Sequence, residues 1–347
     1  MITLYSLDKK RKIRVFQGEV SLSGETQPNT AYIHTYTGLL GGNLTKKTKT
    51  INDGKQNRSV NEQAQFELDS LVFEKVDEGY KSKEQLAIRA EELHYAFPSD
   101  LSISDLFERL EIKFNTNKYW LPLPMLAEKW KEKKAKVKYP RLVQPKLNGV
   151  RCIAVLHEGI VKLLSRGGQV YRMPHIEAAL LPFLISNPTL QLDGELYNHG
   201  MPLQQISGIV RLEDEAQFDR KLPIQYWIYD LAIPNVTQDI REELRIDKYY
   251  PFFKESEVVR FLWTETAKSE ADVDRLHNEF VADDHEGAIV RDPEAYYQFG
   301  FRDACLLKVK EFIDEEFEIV GSEVDPNKGI ESFVFILKNN INELTFK

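Results

Sequence analysis

The sequence of 347 residues predicts an α+β fold built mainly from antiparallel sheets. Two observations support this prediction. Short runs rich in β-branched and aromatic residues are separated by turn residues along most of the chain, which is typical of strands joined by turns. Helical spacing of apolar residues occurs between some of these runs. At roughly 100–200 residues per domain, the length predicts two or three domains.

Residues 1–97 predict a small antiparallel sheet followed by one or two helices. The runs KIRVFQGEVSL and TAYIHTYTGLLGGNLTKKTKTI are rich in strand formers and broken by glycine. A helix should begin at Ser59 or Asn61 as N-cap and end at Gly79. Its apolar residues recur at i, i+4, i+7 and i+8: Ala64, Leu68, Leu71 and Val72. A second helix, SKEQLAIRAEELHYAF, is expected to end before Pro98.

Three further segments complete the predicted organisation. The pattern is irregular and proline-rich over 98–122, where we place a linker. Strands predominate over 123–312, and helical patterns lie around HIEAALLPFLI and DVDRLHNEFVA, so this segment is predicted to be the main α+β domain. Three more strands, FEIVGSEV, SFVFILK and NELTFK, are expected within 313–347.

Composition narrows the possible classes. There are 46 Lys and Arg against 54 Asp and Glu, a net charge of −8, which argues mildly against a nucleic-acid partner unless local charge reverses it. No run of about 18 apolar residues exists, and the first residues lack the apolar core of a signal peptide. We therefore expect a cytoplasmic protein without a membrane span. Cys152 and Cys305 form no CxxC pair, which argues against a zinc or redox site.

A basic run precedes the first strands of the main domain. It contains one acid, Glu132, and seven cations: Lys129, Lys131, Lys133, Lys134, Lys136, Lys138 and Arg141. Two interpretations are open, a solvated helix face or a contact with a phosphate backbone. The same two interpretations apply to Lys46, Lys47 and Lys49 in the N-terminal segment.

Six short elements within the main domain point to its chemistry. In chain order they are Lys146-Leu-Asn-Gly149-Val-Arg151, Ser165-Arg166-Gly167, Leu192-Asp-Gly-Glu195-Leu196, Tyr229-Asp230-Leu231, Glu286-Gly-Ala-Ile-Val290-Arg291 and Leu307-Lys308-Val-Lys310. Each alone arises often by chance. Together, in this order, they resemble the covalent nucleotidyltransferase superfamily of polynucleotide ligases and capping enzymes, which implies an antiparallel-sheet adenylation domain.

The chemistry of such a site explains why these residue types occur together. A lysine that attacks an α-phosphate must be an unprotonated amine, yet its reference pKa is about 10.4, so nearby cations are needed to lower it. Lys308 and Lys310 alternate on one strand, share a face and could supply that charge to Lys146. Arg151 and Arg166 offer planar forks suited to phosphate.

The resemblance implies further roles. Lys146 would be the nucleophile that carries AMP, and Glu195 would bind the ribose hydroxyls. Glu286, with Glu195, would hold Mg²⁺, which prefers oxygen ligands. Tyr229 would stack on the base, although in isolation a core tyrosine on a strand is the favoured interpretation. Gln144 lies where a side chain or the backbone would read the adenine edge. ATP and Mg²⁺ are therefore the expected cofactors.

One position departs from the family pattern. Most members have aspartate where this chain has Asn148, which keeps an acceptor oxygen but carries no charge. The departure is tolerable if the motif lysines suffice, and a catalytically inactive relative is the alternative. Gly149 is expected to permit the tight turn that exposes Lys146.

Longer stretches resemble ATP-dependent DNA ligases of phage or viral type, notably PMLAEKWKEKKAKVKYPRLVQPKLNGVRC and LDGELYNHGMPLQQISGIVR. Residues 1–97 resemble the WGR-like domain that precedes some ligase cores, with Tyr36-Thr37-Gly38 at the position of its namesake tripeptide. The resemblance implies a monomer that seals nicked double-stranded DNA in three steps: AMP passes from ATP to Lys146, then to a 5′-phosphate, and the 3′-hydroxyl displaces it. The basic run would contact the duplex.

The family continues into a five-stranded OB-fold barrel. Three strand candidates within 313–347 are too few for that barrel, so we expect a partial OB-fold and impaired sealing. Either the chain is shortened, or the protein lacks a complete OB domain. Two other functions stay open at this point. One is a non-catalytic DNA-binding protein with a degenerate nucleotidyltransferase domain, and the other is an RNA ligase.

Overall fold

The computed structural model describes residues 1–23, 30–93, 102–310, 318–324, 333–338 and 345–346. The chain divides into two compact units. The first comprises residues 1–76, 80–113 and 312–347, and the second comprises residues 77–79 and 114–311.

The first unit contains an antiparallel sheet in the order β1-β2-β3-β4. Its described elements up to residue 113 are β1 (Ile2–Leu7), β2 (Ile13–Leu22), β3 (Ala31–Leu39), β4 (Thr45–Ile51), α1 (Val60–Asp77), α2 (Lys83–Glu92) and α3 (Ile103–Arg109). The predicted small sheet followed by helices is confirmed. The helix α3, which no periodic pattern indicated, lies within the segment predicted to be a linker.

One face of this sheet packs against α1. Ala31 and Ile33 of β3 are buried with Ala64 and Leu68 of α1, as the spacing along the helix predicted. The backbone N–H of Glu62 donates to the Ser59 hydroxyl at 3.3 Å, and the Ser59 N–H donates to the Glu62 carboxylate at 2.7 Å. This reciprocal cap selects Ser59 over Asn61 as the start of the helix.

The second helix is shorter than predicted. It begins after a capping box formed by Ser82 and Gln85 but ends at Glu92, with Leu93 as a non-helical C-cap. The expectation that it continues to Phe97 was therefore wrong at Leu93, and the rest of that stretch lies outside the described residues. Apolar spacing alone did not show where the chain leaves the helix.

The second unit contains most of the strands. Its elements are β5 (Leu126–Lys129), α4 (Trp130–Lys133), β6 (Arg141–Lys146), β7 (Val150–His157), β8 (Ile160–Leu164), β9 (Val170–Tyr171), α5 (Pro174–Ser186), β10 (Leu192–Tyr197), α6 (Leu203–Val210), β11 (Gln225–Leu231), α7 (Gln238–Glu243), α8 (Tyr250–Phe253), β12 (Val259–Phe261), β13 (Glu265–Ala267), α9 (Glu270–Ala282), β14 (Gly287–Arg291) and β15 (Arg302–Val309). Short 3₁₀ segments lie at Lys134–Lys136 and Glu215–Lys221, and a π-helical turn, Leu244–Tyr249, joins α7 to α8.

Two sheets organise this unit. One has six strands in the order β12-β11-β10-β7-β8-β9, and the other has five in the order β13-β6-β14-β15-β5. Their described pairings are antiparallel except for β11 with β12 and β15 with β5. The α+β class with antiparallel sheets is thereby confirmed. The helices α5 and α9 occur where the apolar periodicity predicted them, whereas α6, α7 and α8 were not predicted.

Each sheet has its own apolar core. Residues of β7, β8, β10 and β11 pack with α5 and α6 in the larger cluster. A smaller cluster joins β6, β14 and β15 to α9 and to Trp130. The functional side chains described below lie where strands of the two sheets approach each other.

The residues that the structure describes after 312 form three strands, as predicted: β16 (Glu318–Val324), β17 (Phe333–Lys338) and β18 (Thr345–Phe346). They form an antiparallel sheet in that order. Their assignment to a partial OB-fold stays a prediction. Among the residues that the structure describes, no helix is long and apolar enough to cross a membrane.

The core of the first unit gives a stability prediction. Ile33→Ala should lower the free energy of unfolding by ~2–5 kcal/mol, because Ile33 is only 1% exposed and its loss leaves a cavity against α1. Ile88→Ala, at a residue of the same unit that is 56% exposed, is the matched control and should change stability by less than about 0.5 kcal/mol. Urea denaturation followed by circular dichroism measures both. Equal losses in the two variants would contradict the described packing.

Candidate active site

Lys146 is the last residue of β6, and the register of the sheet places an acidic residue beside it. Gly287 of β14 lies opposite Lys146, and the Glu286 N–H donates to the Lys146 carbonyl at 3.0 Å. The Lys146 ammonium forms an ion pair with the Glu286 carboxylate. Lys310 Nζ lies 3.3 Å from the other oxygen of the same carboxylate. Glu286 therefore bridges two of the predicted site lysines.

Two glycines permit this close packing. Gly287 has φ +150°, and a Cβ there would lie 2.2 Å from the Val309 carbonyl oxygen on β15. A Cβ on Gly149 would lie 2.5 Å from the Leu196 carbonyl oxygen of β10. Gly149 lies in the bend between β6 and β7, where it was predicted to permit a turn, and the close approach of β10 is a further reason for glycine at this position.

A cavity of about 220 Å³ adjoins Lys146 and is bordered by strands of both sheets. Six of the predicted site residues line it: Gln144, Lys146, Arg151, Glu195, Tyr229 and Lys308. Glu286 joins the site through its ion pair with Lys146, and Lys310 joins it through its ion pair with Glu286. Arg166 is not among the described lining residues and lies on the turn after β8, partly buried.

Glu195 and Tyr229 face the cavity from neighbouring strands of the six-stranded sheet. The Tyr229 hydroxyl donates to Glu195 Oε2 at 3.4 Å. Burial raises the pKa of Glu195 to about 7, although Lys146 and Arg151 oppose that effect. A carboxyl that titrates near neutral pH can accept or donate a hydrogen bond to a hydroxyl, which suits the ribose contact expected for Glu195.

The pKa of a site lysine is lowered, whereas that of Glu195 is raised. Burial lowers the pKa of Lys308, and the nearby cations Arg302, Lys310 and Lys146 lower it further. For Glu286, burial is outweighed by its lysine partners, which hold the pKa of this carboxyl below its ordinary value. Around Lys146 the site therefore combines three lysines with the ionised Glu286 carboxylate, a local excess of positive charge that suits a polyphosphate.

Arg151 has partners that the sequence did not reveal. Its Nε and Nη2 atoms donate to the Asp193 carboxylate at 3.0 and 2.6 Å, and Nη1 donates to the Met125 carbonyl at 2.6 Å. The Tyr297 hydroxyl also donates to Asp193, at 2.5 Å. Arg151 was predicted as a fork for phosphate. In the structure most of that fork holds Asp193, so a phosphate would meet only its remaining N–H groups.

The Gln144 side chain is also occupied by hydrogen bonds within the protein. Its amide nitrogen donates to the Tyr229 carbonyl at 3.1 Å and to the Thr264 hydroxyl at 3.0 Å, and its amide oxygen accepts from Arg291 Nε at 2.8 Å. The side chain is only 1% exposed. We predicted that Gln144 reads the adenine edge, but with these bonds its side chain has a single acceptor lone pair left for any ligand.

A buried charge network lies behind these residues. Asp230 accepts from Arg241 Nε at 2.9 Å and from Arg291 Nη1 at 2.6 Å. Despite burial, the two arginines hold the pKa of Asp230 below its ordinary value. The Arg291 guanidinium lies 5.6 Å from the centroid of the Tyr229 ring. Asp230 and Arg291 belong to recognised motifs and could have been singled out, whereas Arg241 and Tyr297 carry no sequence signal.

The basic run is only partly available for an external partner. Arg141 is buried and pairs with Asp292 at 2.5 Å, so its predicted contact with a duplex backbone was wrong. Lys129 pairs with Glu132 at 3.0 Å and Lys134 with Glu270 at 2.6 Å. Lys133 is partly buried. The remaining lysines of the run are exposed: Lys131, Lys136 and Lys138.

A lysine at the rim of a cavity between antiparallel sheets, with two more lysines and a bridging acid, is the arrangement that a covalent nucleotidyltransferase needs. The protein-family model of the ATP-dependent DNA ligase domain matches residues 124–310, which is more than half of the chain. The chain belongs to this ATP-dependent DNA ligase family.

Known proteins agree with this assignment. The chain is 30% identical over 241 residues to the DNA ligase of African swine fever virus strain Badajoz 1971, an alignment that covers 66% of the chain and 56% of that ligase. The ligase of the Pretoriuskop tick isolate is 29% identical with the same coverage. The chain thus spans about half the length of these curated relatives.

Solved structures share the fold. The chain resembles a structure described as Pmar-Lig_PreS3 with a TM-score of 0.53 and 20% identity, over 70% of this chain and 58% of that one. A structure from work on Lig E DNA ligases gives a TM-score of 0.50 and 17% identity, over 65% of this chain and 83% of that one.

Glu195 makes stability depend on pH in a predictable direction. Between its ordinary pKa of 4.5 and about 7, the folded carboxyl keeps a proton that the unfolded chain has released, so stability falls as the pH rises. Glu195→Gln removes this penalty and should stabilise the protein by ~1–3 kcal/mol at pH 8 but little at pH 5.

Thermal unfolding of both proteins at pH 5, 6, 7 and 8, in EDTA and without nucleotide, measures the difference. Glu158→Gln is the control, because that side chain is 77% exposed. A gain for Glu195→Gln that is the same at every pH would contradict the raised pKa.

Proposed function

We propose that this chain transfers AMP from ATP to Lys146 and then uses the adenylate to seal nicks in DNA. The observation that carries the proposal is the position of Lys146 at the cavity, ion-paired with Glu286 and close to Lys308 and Lys310. The ligase domain match over residues 124–310 supports it and also supports the proposed adenylation domain at 123–312.

The cavity suits a nucleotide in one orientation. The Tyr229 ring offers a surface for the base, and Glu195, which the Tyr229 hydroxyl contacts, can bond the ribose hydroxyls. The phosphates would then lie toward Lys146, Lys308 and Lys310, where positive charge is concentrated. Apolar lining with a few convergent polar groups is the usual composition of a cofactor pocket.

The first chemical step follows from this placement. The Lys146 amine, having lost a proton, attacks the α-phosphorus, and the bond from that phosphorus to the bridging oxygen of the β-phosphate breaks. Pyrophosphate leaves, and AMP stays attached to Lys146 through a phosphorus–nitrogen bond. The positive charges of Lys308 and Lys310 stabilise the additional negative charge on the phosphoryl oxygens in the transition state.

The carboxylates fit the expected Mg²⁺. Glu286 is held ionised by its lysine partners and is partly exposed, and Glu195 offers a second hard oxygen donor. Mg²⁺ is usually held by one or two carboxylates together with substrate phosphates and waters, so no larger cluster is needed. When bound, the ion would neutralise phosphate charge.

The later steps use the same residues on a DNA substrate. The 5′-phosphate at the nick attacks the lysyl phosphorus and releases the Lys146 amine. The 3′-hydroxyl then attacks the activated 5′-phosphate, a phosphodiester forms, and AMP leaves. Because Lys146, Glu286 and Lys310 all come from one chain, a monomer suffices for this chemistry. The assignment of residues 1–97 to a WGR-like domain stays a prediction.

Nicked double-stranded DNA is the proposed partner of the exposed part of the basic run. Lys131, Lys136 and Lys138 lie on a short segment just before β6, the strand that carries Lys146. Lysines at such a position can neutralise backbone phosphates and orient the duplex without reading its sequence.

Covalent labelling tests the adenylation step. The parent chain incubated with α-labelled ATP and Mg²⁺ should form an acid-labile protein adduct, and Lys146→Ala should form none, because the attacking amine is gone. Lys268→Ala, at an exposed lysine outside the site, is the control and should label like the parent. Absence of label in the parent would overturn the proposal and favour a DNA-binding protein with a degenerate site. Comparing nicked DNA with nicked RNA then separates DNA from RNA ligation.

Salt dependence tests the duplex contact. Changing Lys131, Lys136 and Lys138 together to Ala should weaken binding of a nicked duplex roughly tenfold or more at low salt, and reduce the log–log salt slope by about 2–3. The control changes three exposed lysines elsewhere in the unit, Lys248, Lys254 and Lys268. Fluorescence anisotropy at several salt concentrations measures both triple variants. An unchanged slope in the first variant would remove this segment from the proposed interface.

A further inference from the structure

The four-stranded sheet of the first unit has two unlike faces. Along β3, Ala31 and Ile33 are buried in the cluster with α1. The alternate residues Tyr32, His34 and Tyr36 lie on the opposite face and are partly exposed. We call the surface formed by these three rings the aromatic face.

Hydrogen bonds hold two rings of the aromatic face, those of His34 and Tyr36, and the Tyr32 ring lies parallel to His34. His34 is fixed between two hydroxyls, with Nε2 at 3.0 Å from Ser21 Oγ on β2 and Nδ1 at 2.9 Å from Thr48 Oγ1 on β4. The planes of Tyr32 and His34 differ by only 7°, with centroids 6.2 Å apart. The Tyr36 hydroxyl donates to Glu19 at 3.2 Å. The rings therefore form an ordered row.

Positive charge adjoins this row. Lys46 lies opposite Tyr36 in the register, and its Nζ is 5.5 Å from the Tyr36 ring centroid. The turn between β1 and β2 lies at the same end of the sheet as the turn between β3 and β4, since Leu40 N–H donates to the Ile13 carbonyl at 2.9 Å. The turn between β1 and β2 carries four exposed cations: Lys9, Lys10, Arg11 and Lys12. They outnumber Asp8, the acid at the start of this turn, and Glu19, which accepts the hydrogen bond of Tyr36.

We propose that the aromatic face binds single-stranded nucleic acid, with bases stacked on Tyr32, His34 and Tyr36. Alternate residues of a strand are about 7 Å apart, so successive rings can each take a base of an extended strand. Phosphates would then meet Lys46 and the basic turn. Every base has a stacking face, so such binding tolerates any sequence. A duplex buries those faces, which favours single strands.

This proposal is independent of the proposed ligase activity. It requires neither ATP, nor Lys146, nor a nick, and it concerns a unit of the chain other than the one that contains the cavity. A protein partner on the same face would be recognised by the same rings, but the cationic border is complementary to phosphates.

Fluorescence anisotropy with the full chain tests the proposal. The probe is a labelled 20-nucleotide thymidine strand, compared with an abasic strand of the same length and charge. The parent should bind the thymidine strand at least tenfold more tightly than the abasic strand, because stacking contributes to each base contact. The double variant Tyr32→Ala with Tyr36→Ala should lose roughly tenfold or more in affinity for the thymidine strand. Tyr296→Ala, at a 52% exposed tyrosine of the other unit, should bind like the parent.

Two checks separate stacking from loss of structure. Tyr32→Phe with Tyr36→Phe keeps the rings and should bind within about twofold of the parent, and all variants should keep the parent's circular dichroism spectrum. Labelling with α-labelled ATP should be unchanged in every variant. Equal affinity for abasic and thymidine strands would overturn the proposal, and so would undetectable binding or binding that survives the double Ala variant. Failure of labelling alone would count against the ligase activity and leave the aromatic face untouched.

Discussion

The antiparallel pairing of β6 with β14 is the constraint on which the proposed site depends. Lys146 lies opposite Gly287, and the preceding residue, Glu286, comes directly beside the lysine. Because side chains alternate along a strand, a slip of one residue would turn Glu286 away from Lys146. A residue with a Cβ at Gly287 would meet the Val309 carbonyl of the next strand. The same tight ladder brings Lys310 to the Glu286 carboxylate.

The buried charges of the second unit connect its two sheets. Asp230 is the last residue but one of β11 in one sheet, and Arg291 ends β14 of the other, so their ion pair crosses from sheet to sheet. Gln144 adds a link from β6 to the Tyr229 carbonyl and to Arg291. Burying charge is expensive even when it is paired, and apolar residues of similar volume often serve stability as well. The network is better explained by the fixed position that it gives to Tyr229 at the cavity wall.

Much of the fold and of the candidate site could be predicted from the sequence. Apolar periodicity and caps identified α1, α5 and α9, and the ordered motifs identified residues that line the cavity. Sequence patterns could not show which charged side chains pair with residues far away in the chain. Arg151 holds Asp193, and Arg141 is buried against Asp292, pairings that depend on which strands lie side by side. Helices such as α3 are short, so their few buried residues gave no recognisable period.

The Glu286 carboxylate explains how three lysines can lie close together at this site. Lys146, Lys308 and Lys310 repel one another, and in the described site Glu286 offsets that repulsion by pairing with two of them. A bound triphosphate would bring far more negative charge and compete for the same ammonium groups. Lys146 would then exchange a carboxylate for the phosphate that it attacks, and Glu286 would become available for a metal ion. A single acid at this position thus explains why three lysines can lie close together, and under the proposed function the same carboxylate would take part when a nucleotide binds.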